Sequence, residues 1–120
     1  MRVSIETIDH GDQRYDTCGD WTWDRGALRI YISETGNENY NFLIGIHEMI
    51  EAYLCAINGI PEQDVTDFDM VFAGDGEPGD SPDAPYHDQH MQASEVEFKL
   101  APVLGVEWDK YEAAIGGLGG

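Results

Sequence analysis

Lysine and arginine are scarce in this 120-residue chain, which holds six of them against 24 aspartates and glutamates. The stretch between Arg29 and Lys99 contains neither. A formal net charge of −18 repels the phosphates of nucleic acids and of anionic membrane surfaces, so we expect no direct binding to either. The same charge attracts cations, but it also fits a protein whose acidity only keeps it in solution, and both interpretations stay open.

Long apolar runs and paired cysteines are missing as well. No run approaches the roughly 20 apolar residues that a membrane-spanning helix needs, so we expect no membrane partner. Met1 is not followed by the basic and then apolar pattern of a secretory leader, and we therefore expect a cytoplasmic protein. Cys18 and Cys55 lack the spacing of metal-binding or redox pairs, which predicts two free thiols.

The residues that are present suffice for one folded domain with a sheet at its start. Hydrophobic residues make up 42% of the chain and aromatic residues 11%. Apolar and polar residues alternate over 2–9, and further strands are predicted at 21–23 and 27–33. A turn at Asp24-Arg25-Gly26 separates the last two. We therefore expect a small, mostly antiparallel sheet from the N-terminal third.

Helical patterns fill most of the remaining chain. They cover 38–58, 61–72, 86–104 and 107–115, and Pro102 is expected to kink or end the third helix. The Gly-, Pro- and Asp-rich segment 73–85 is predicted to be a loop, either a solvated connector or a rim over the histidines that follow it. The expected fold is α+β, a single domain over 1–115 in which the sheet packs on the long helix and the C-terminal helices. Residues 116–120 are expected to be a flexible Gly-rich tail.

The long helix carries a metal-binding pattern, His47-Glu48-Met49-Ile50-Glu51. Residues four apart lie on one face of a helix, so His47 and Glu51 can converge on one cation. Glu48, about 100° around the helix, can reach a metal-bound water without being a ligand. Burying a glutamate beside a histidine costs several kcal/mol unless a metal ion or a hydrogen bond compensates, and both compensations stay open here.

A second histidine segment supplies further ligands. His87 and His90 stand three residues apart at the start of the third helix, and His90 lies on its apolar side. His47, Glu51 and His90 would leave a position for water on Zn²⁺ or another divalent transition metal, whereas adding His87 would complete a structural site. His87 could instead bind substrate or support a ligand. Asp88 and Glu95 are candidates for orienting an imidazole.

This arrangement resembles the zincin metallopeptidases, in which a sheet precedes a His-Glu-x-x-His helix and a later helix supplies the third ligand. The resemblance covers that helix and the expected topology. It implies that His47 is a ligand, that Glu48 is the general base, and that Glu51 is a ligand in place of the usual second histidine. It also implies metal-assisted hydrolysis of a peptide or protein substrate.

Segments 46–52, 85–90 and 105–108 are also similar to small proteins of tailed-phage genomes, a resemblance that implies no activity. For a phage-encoded protein the expected compartment is the host cytoplasm. Two alternatives to a hydrolase follow from the same sequence. One is a non-catalytic protein in which a metal pins the helices together. The other is an acidic decoy that imitates DNA and binds a host protein.

Overall fold

The computed structural model of the protein describes residues 1–118 and confirms an α+β fold. Three strands come first: β1 (Arg2–Ile8), β2 (Gly19–Asp24) and β3 (Ala27–Ser33). Four helices follow: α1 (Glu38–Ile57), α2 (Glu62–Val71), α3 (His87–Leu100) and α4 (Trp108–Gly116). Of the predicted tail 116–120, Gly116 ends α4, and residues 119 and 120 lie outside the described part of the chain.

The sheet is mixed, with the strand order β1-β3-β2. The central strand β3 pairs antiparallel with β2 and parallel with β1, where Ile5 lies opposite Ile30. The expectation of a mostly antiparallel sheet therefore holds for one of the two pairings. Alternation of apolar and polar residues determines which face of a strand is buried, but it is compatible with both parallel and antiparallel pairing. The direction of β1 depends on the connection through 9–18.

The hairpin between β2 and β3 closes at the predicted turn. Asp24 pairs with Ala27, which leaves a two-residue loop of Arg25 and Gly26. Both residues have positive φ angles, 53° and 80°. A two-residue loop with this geometry matches the right-handed twist of the flanking strands, and it favours glycine at its second position. The hairpin thus sets β2 at one edge of the sheet.

Helix α1 lies across β2 and β3, and α3 packs along α1. The apolar face of β3, formed by Leu28, Ile30 and Ile32, is fully buried beneath α1. Gly45 permits a close approach, because a Cβ atom there would stand 2.9 Å from Ile32 Cδ1. The helix starts at an Asn37 cap whose side chain accepts hydrogen bonds from two backbone amides. The following residues of α1 therefore face β2 on one side and α3 on the other.

Helix α3 ends earlier than its apolar pattern suggests. It ends at Leu100, and a 3-10 turn covers Ala101–Leu104 before Gly105 adopts a left-handed conformation. Pro102 explains the change, because proline has no backbone N–H and its ring collides with the preceding turn of an α-helix. Within residues 1–118, no helix is both long and apolar enough to cross a membrane.

Candidate metal centre

Three buried side chains bring one atom each to a common point between α1 and α3. His47 Nε2 lies 3.1 Å from Glu51 Oε2 and 3.2 Å from His90 Nδ1, and His90 Nδ1 lies 2.9 Å from the same Glu51 oxygen. We call these three residues the cluster. Ligand atoms bound tetrahedrally at about 2.0–2.1 Å are separated by about 3.3 Å, so a cation would need shifts of only a few tenths of an ångström. The cluster could hold a metal ion.

Helix geometry accounts for this convergence. His47 and Glu51 are one turn apart on the face of α1 that meets α3, and His90 occupies the opposing face. The exposed fractions of the three residues are 7%, 5% and 3%. The structure thus brings together the three residues for which the sequence indicated a shared cation.

Carboxylates hold the outer nitrogens of both imidazoles. His47 Nδ1 lies 2.8 Å from Glu97 Oε1, and His90 Nε2 lies 2.9 Å from Asp80 Oδ1. Ionised carboxylates only accept hydrogen bonds, so the outer nitrogen of each imidazole can donate its proton there, and in the neutral imidazole the inner nitrogen then has the lone pair. Two nitrogen lone pairs and a carboxylate oxygen then point at one position. Such a set repels itself unless a cation or an additional proton lies between its members.

Glu97 is the residue that orients His47, a role for which Asp88 and Glu95 were the expected candidates. Its second oxygen accepts a hydrogen bond of 2.5 Å from the Tyr111 hydroxyl, and both residues are buried. Glu95 instead forms an exposed ion pair with Lys99 at 2.9 Å. A signal for Glu97 was present in the sequence, because it lies two helical turns after His90 on the same face.

Glu51 is held by a tryptophan that the sequence did not single out. Trp21 Nε1 donates a hydrogen bond of 3.0 Å to Glu51 Oε1. Because Oε1 is occupied, Oε2 is the oxygen left for the cluster. The carboxylate would therefore bind a cation through one oxygen, as a histidine would through one nitrogen. A buried indole needs an acceptor, and this requirement was the only sequence signal for the contact.

The charges within the cluster shift its ionisation strongly. Burial lowers the pKa of His90, but hydrogen bonds to Glu51 and Glu77 outweigh it and raise that pKa to about 10. Burial also opposes the charged form of His47, whose pKa is nevertheless raised by its contacts with Glu51 and Glu97. Burial raises the pKa of Glu51, and hydrogen bonds to the two histidines lower it below its ordinary value. The environment therefore favours positive charge between these groups.

Glu48 lies beside the cluster without joining it. Its Oε2 is 3.9 Å from His47 Nε2, and its side chain is 10% exposed. Within residues 1–118, no donor forms a hydrogen bond with its carboxylate. Burial and the charge of Glu51 raise its pKa well above the ordinary value. Gly19 makes room for this side chain, since a Cβ there would stand 2.7 Å from Glu48 Cγ.

A cavity of about 570 Å³ opens next to the cluster, and Glu48 and the cluster residues line it. The segment 73–85 forms part of its wall. Gly79 packs flat against the His90 ring, and a Cβ at this position would overlap the ring. Of the two interpretations of segment 73–85, this contact favours a rim over the histidines and not a solvated connector.

His87 lies outside the cluster. It is the first residue of α3, and its Nδ1 lies 3.0 Å from the Gly79 carbonyl oxygen, to which it can donate. The described geometry therefore connects His87 to the loop that supports His90, and the three-atom set forms without it.

Comparison of the chain with protein-family models, with curated proteins and with solved structures finds no match. The geometry of the cluster and its surroundings is therefore the basis for a proposed function.

Proposed function

We propose that the protein is a minimal zincin-like hydrolase that binds zinc or a similar divalent cation through His47, Glu51 and His90. The main support for this proposal is that His47 Nε2, His90 Nδ1 and Glu51 Oε2 converge on one position. The other ring nitrogens and the other carboxylate oxygen are held by hydrogen bonds to neighbouring residues. Catalytic zinc sites commonly combine two histidines and one glutamate with an open position, which is the donor set of this cluster. The order differs from the usual helix motif, because the glutamate is on α1 and the second histidine on α3.

The chemistry proposed for the site uses Glu48 as the proton acceptor. A divalent cation in such a site lowers the pKa of a bound water toward neutrality. Glu48 would take the proton from that water, since its carboxylate lies 3.9 Å from His47 Nε2, lines the cavity and has no competing hydrogen-bond donor among the described residues. It would then return the proton to the leaving group. A peptide is the proposed substrate, by resemblance to the zincins.

Metal content tests the first half of the proposal. Protein purified without chelator or a metal-affinity column is expected to contain about one equivalent of a divalent transition metal, or to take one up on titration with zinc. His47→Ala is expected to abolish uptake, and His87→Ala, at a nearby histidine outside the cluster, to leave the stoichiometry unchanged. Less than about a tenth of an equivalent in the unmodified protein, with no uptake on titration, would contradict metal binding.

Hydrolysis tests the second half. Zinc-loaded protein is offered a library of peptides with blocked termini, and cleavage is followed by mass spectrometry. Glu48→Gln is expected to keep the metal and to lower kcat by at least about 100-fold, a typical contribution of a general base. Activity that survives this substitution would refute the assigned mechanism.

A metal-stabilised protein without catalysis is the second candidate, because the cluster joins α1 to α3 across the core. A cation that binds only the folded state raises its stability, so chelation should lower the Tm by several degrees under either candidate. The two are separated by the peptide library. A large Tm loss on chelation, with no cleavage of any library member, would favour the purely structural role.

A further inference from the structure

The walls of the cavity beside the cluster are strongly acidic. Ten carboxylic acids line it, and Arg14 is the one lysine or arginine among the described lining residues. A divalent cation and Arg14 together would compensate fewer than half of these acids. The acids are Asp16, Asp20, Glu48, Glu51, Glu62, Asp69, Glu77, Asp80, Glu97 and Glu112.

Arg14 is not available to bind an anionic substrate. Its guanidinium donates two hydrogen bonds to the buried Asp20, of 2.6 Å and 3.0 Å, and a third of 3.3 Å to Thr66. A two-pronged pair of this kind fixes the arginine and neutralises it. A substrate carboxylate or phosphate would therefore find no free cationic side chain in the described wall.

Two of the acids, by contrast, form no hydrogen bond with the described residues and can act on a ligand. Glu48 is nine-tenths buried, faces the cavity and has no hydrogen-bonding partner in the described chain. Glu112 is exposed on α4 at another wall and forms no hydrogen bond or ion pair with the described residues. Glu77 and Asp80 add to the negative charge of the wall formed by the loop, although each has one carboxylate oxygen on His90 Nε2, at 3.1 Å and 2.9 Å. Acids of one sign around a concave, low-dielectric surface concentrate the field inside it.

We propose that this cavity accepts a peptide segment with an arginine or lysine side chain close to the bond that is cleaved. The inference rests on the proposed function, whose substrate class it specifies. Glu112, whose carboxylate has no partner among the described residues, is the residue that we assign to the cationic side chain. The volume of about 570 Å³ is in the range of ordinary ligand pockets and fits a few side chains rather than a folded domain.

Peptides that differ only in charge test this proposal. Two acetylated and amidated peptides are compared, one with arginine and one with citrulline, its neutral and nearly isosteric analogue. Binding is measured by calorimetry with Glu48→Gln protein, with and without zinc, and cleavage with unmodified protein. The arginine peptide is expected to bind at least about tenfold more tightly at low salt, and the ratio should shrink at high ionic strength.

Two substitutions of equal charge separate a local effect from the general acidity of the protein. Glu112→Lys is expected to reduce the preference for arginine at least threefold. Glu6→Lys, on the exposed strand β1 and outside the cavity lining, should reduce it less than twofold. Equal binding of the two peptides, or equal effects of the two substitutions, would overturn the proposal.

The same measurements distinguish the inference from the function on which it rests. Selective binding of the arginine peptide with no cleavage would defeat the hydrolase and keep a cation-selective cavity. Cleavage of both peptides at the same rate, with equal affinity, would keep the hydrolase and defeat the inference.

Discussion

Two histidine networks in this protein have similar compositions but differ in the chemistry that they allow. In the first, His10 lies 2.8 Å from Ser33 Oγ and 2.8 Å from Asp16 Oδ1. In the second, His47 and His90 form the cluster with Glu51. Both networks join histidines to carboxylates. The difference is that His10 contacts one serine and one exposed carboxylate, which hold the loop 9–18 to the sheet, whereas His47 Nε2 and His90 Nδ1 converge on the same Glu51 oxygen.

The His10 network has the composition of a Ser-His-Asp triad, but its serine is not accessible to a substrate. Ser33 is fully buried and its hydroxyl donates a hydrogen bond of 3.2 Å to the Thr17 carbonyl oxygen. A nucleophile has to reach a substrate, so this serine is structural. In the cluster, outer partners orient the imidazoles, and the two inner nitrogens lie 3.2 Å apart beside Glu51 Oε2. A candidate metal site therefore differs from a structural histidine contact in that nitrogens of two histidines converge with one carboxylate oxygen.

Removing a ligand should give the largest contrast between the two networks. His90→Ala is expected to lower zinc affinity at least about 1,000-fold, because two protein ligands remain and the cluster loses its α3 side. His10→Ala should destabilise the fold but leave the zinc stoichiometry at one. Competition with a chromophoric chelator measures both. Equal losses in the two variants would show that zinc binding does not depend on the cluster.

Removing an orienting carboxylate should have a smaller effect. Glu97→Gln keeps the shape of the side chain but weakens the hydrogen bond that holds His47 Nδ1–H. Losses of about 10- to 100-fold in metal affinity are typical of such partners. Glu95→Gln, two residues earlier and paired with exposed Lys99, is the matched control and should leave the affinity unchanged. If Glu97→Gln binds zinc as tightly as the unmodified protein, the assigned orientation of His47 is wrong.

Asp69, which links the loop 9–18 to the start of α3, should make the free energy of unfolding depend on pH. Asp69 on α2 accepts hydrogen bonds from Tyr15 of that loop and from Tyr86, which precedes α3. Burial raises its pKa from about 3.8 to about 6, against the lowering effect of the two tyrosine hydrogen bonds.

A raised folded-state pKa means that the folded protein binds the proton more tightly than the unfolded chain. The contribution of Asp69 is therefore fully present below about pH 4 and is lost as the pH rises through about 6. It amounts to about 3 kcal/mol. Urea unfolding of Asp69→Asn at pH 4 and pH 7 should lack this part of the pH dependence. If the free energy of unfolding still differs by the same amount between the two pH values, the pH dependence comes from other groups.

The smallest expected effect comes from the loop that supports His90. A Cβ at Gly79 would overlap the imidazole, so Gly79→Ala has to displace the ring or the loop. We expect zinc affinity to fall about threefold to tenfold. Gly11→Ala, next to His10 in the chain, is the control, because its Cβ would meet no atom of the described residues within 4 Å. Similar zinc affinities for the two variants would show that the loop does not position His90.

Much of this arrangement was predictable from local patterns. The four helices, the turn at Arg25-Gly26 and the pairing of His47 with Glu51 on one helical face all depend on neighbours within a few residues. Periodicity and the chemistry of glycine and proline act over that range. The same reasoning pointed to His90 as the third member of the set, because it lies on the apolar side of its helix.

Other features depended on contacts between distant segments. Trp21 meets Glu51 and Tyr111 meets Glu97 only because β2 and α4 pack against the two helices. No local pattern encodes such partners, which lie 30 and 14 residues from each other in the chain. The parallel direction of β1 belongs to this group as well, because it follows from the path of the connection rather than from alternation.

The sequence by itself determined the α+β composition, the acidic charge and the spacing that places His47 and Glu51 on one face of α1. The tertiary structure decided which nitrogen of each histidine faces the cluster, that Glu51 offers a single oxygen, and that Glu48, beside a cavity, accepts no hydrogen bond from the described residues. The physical reason is that helical periodicity acts within a few residues. The orientation and protonation of a buried side chain depend on whichever distant groups the fold packs around it.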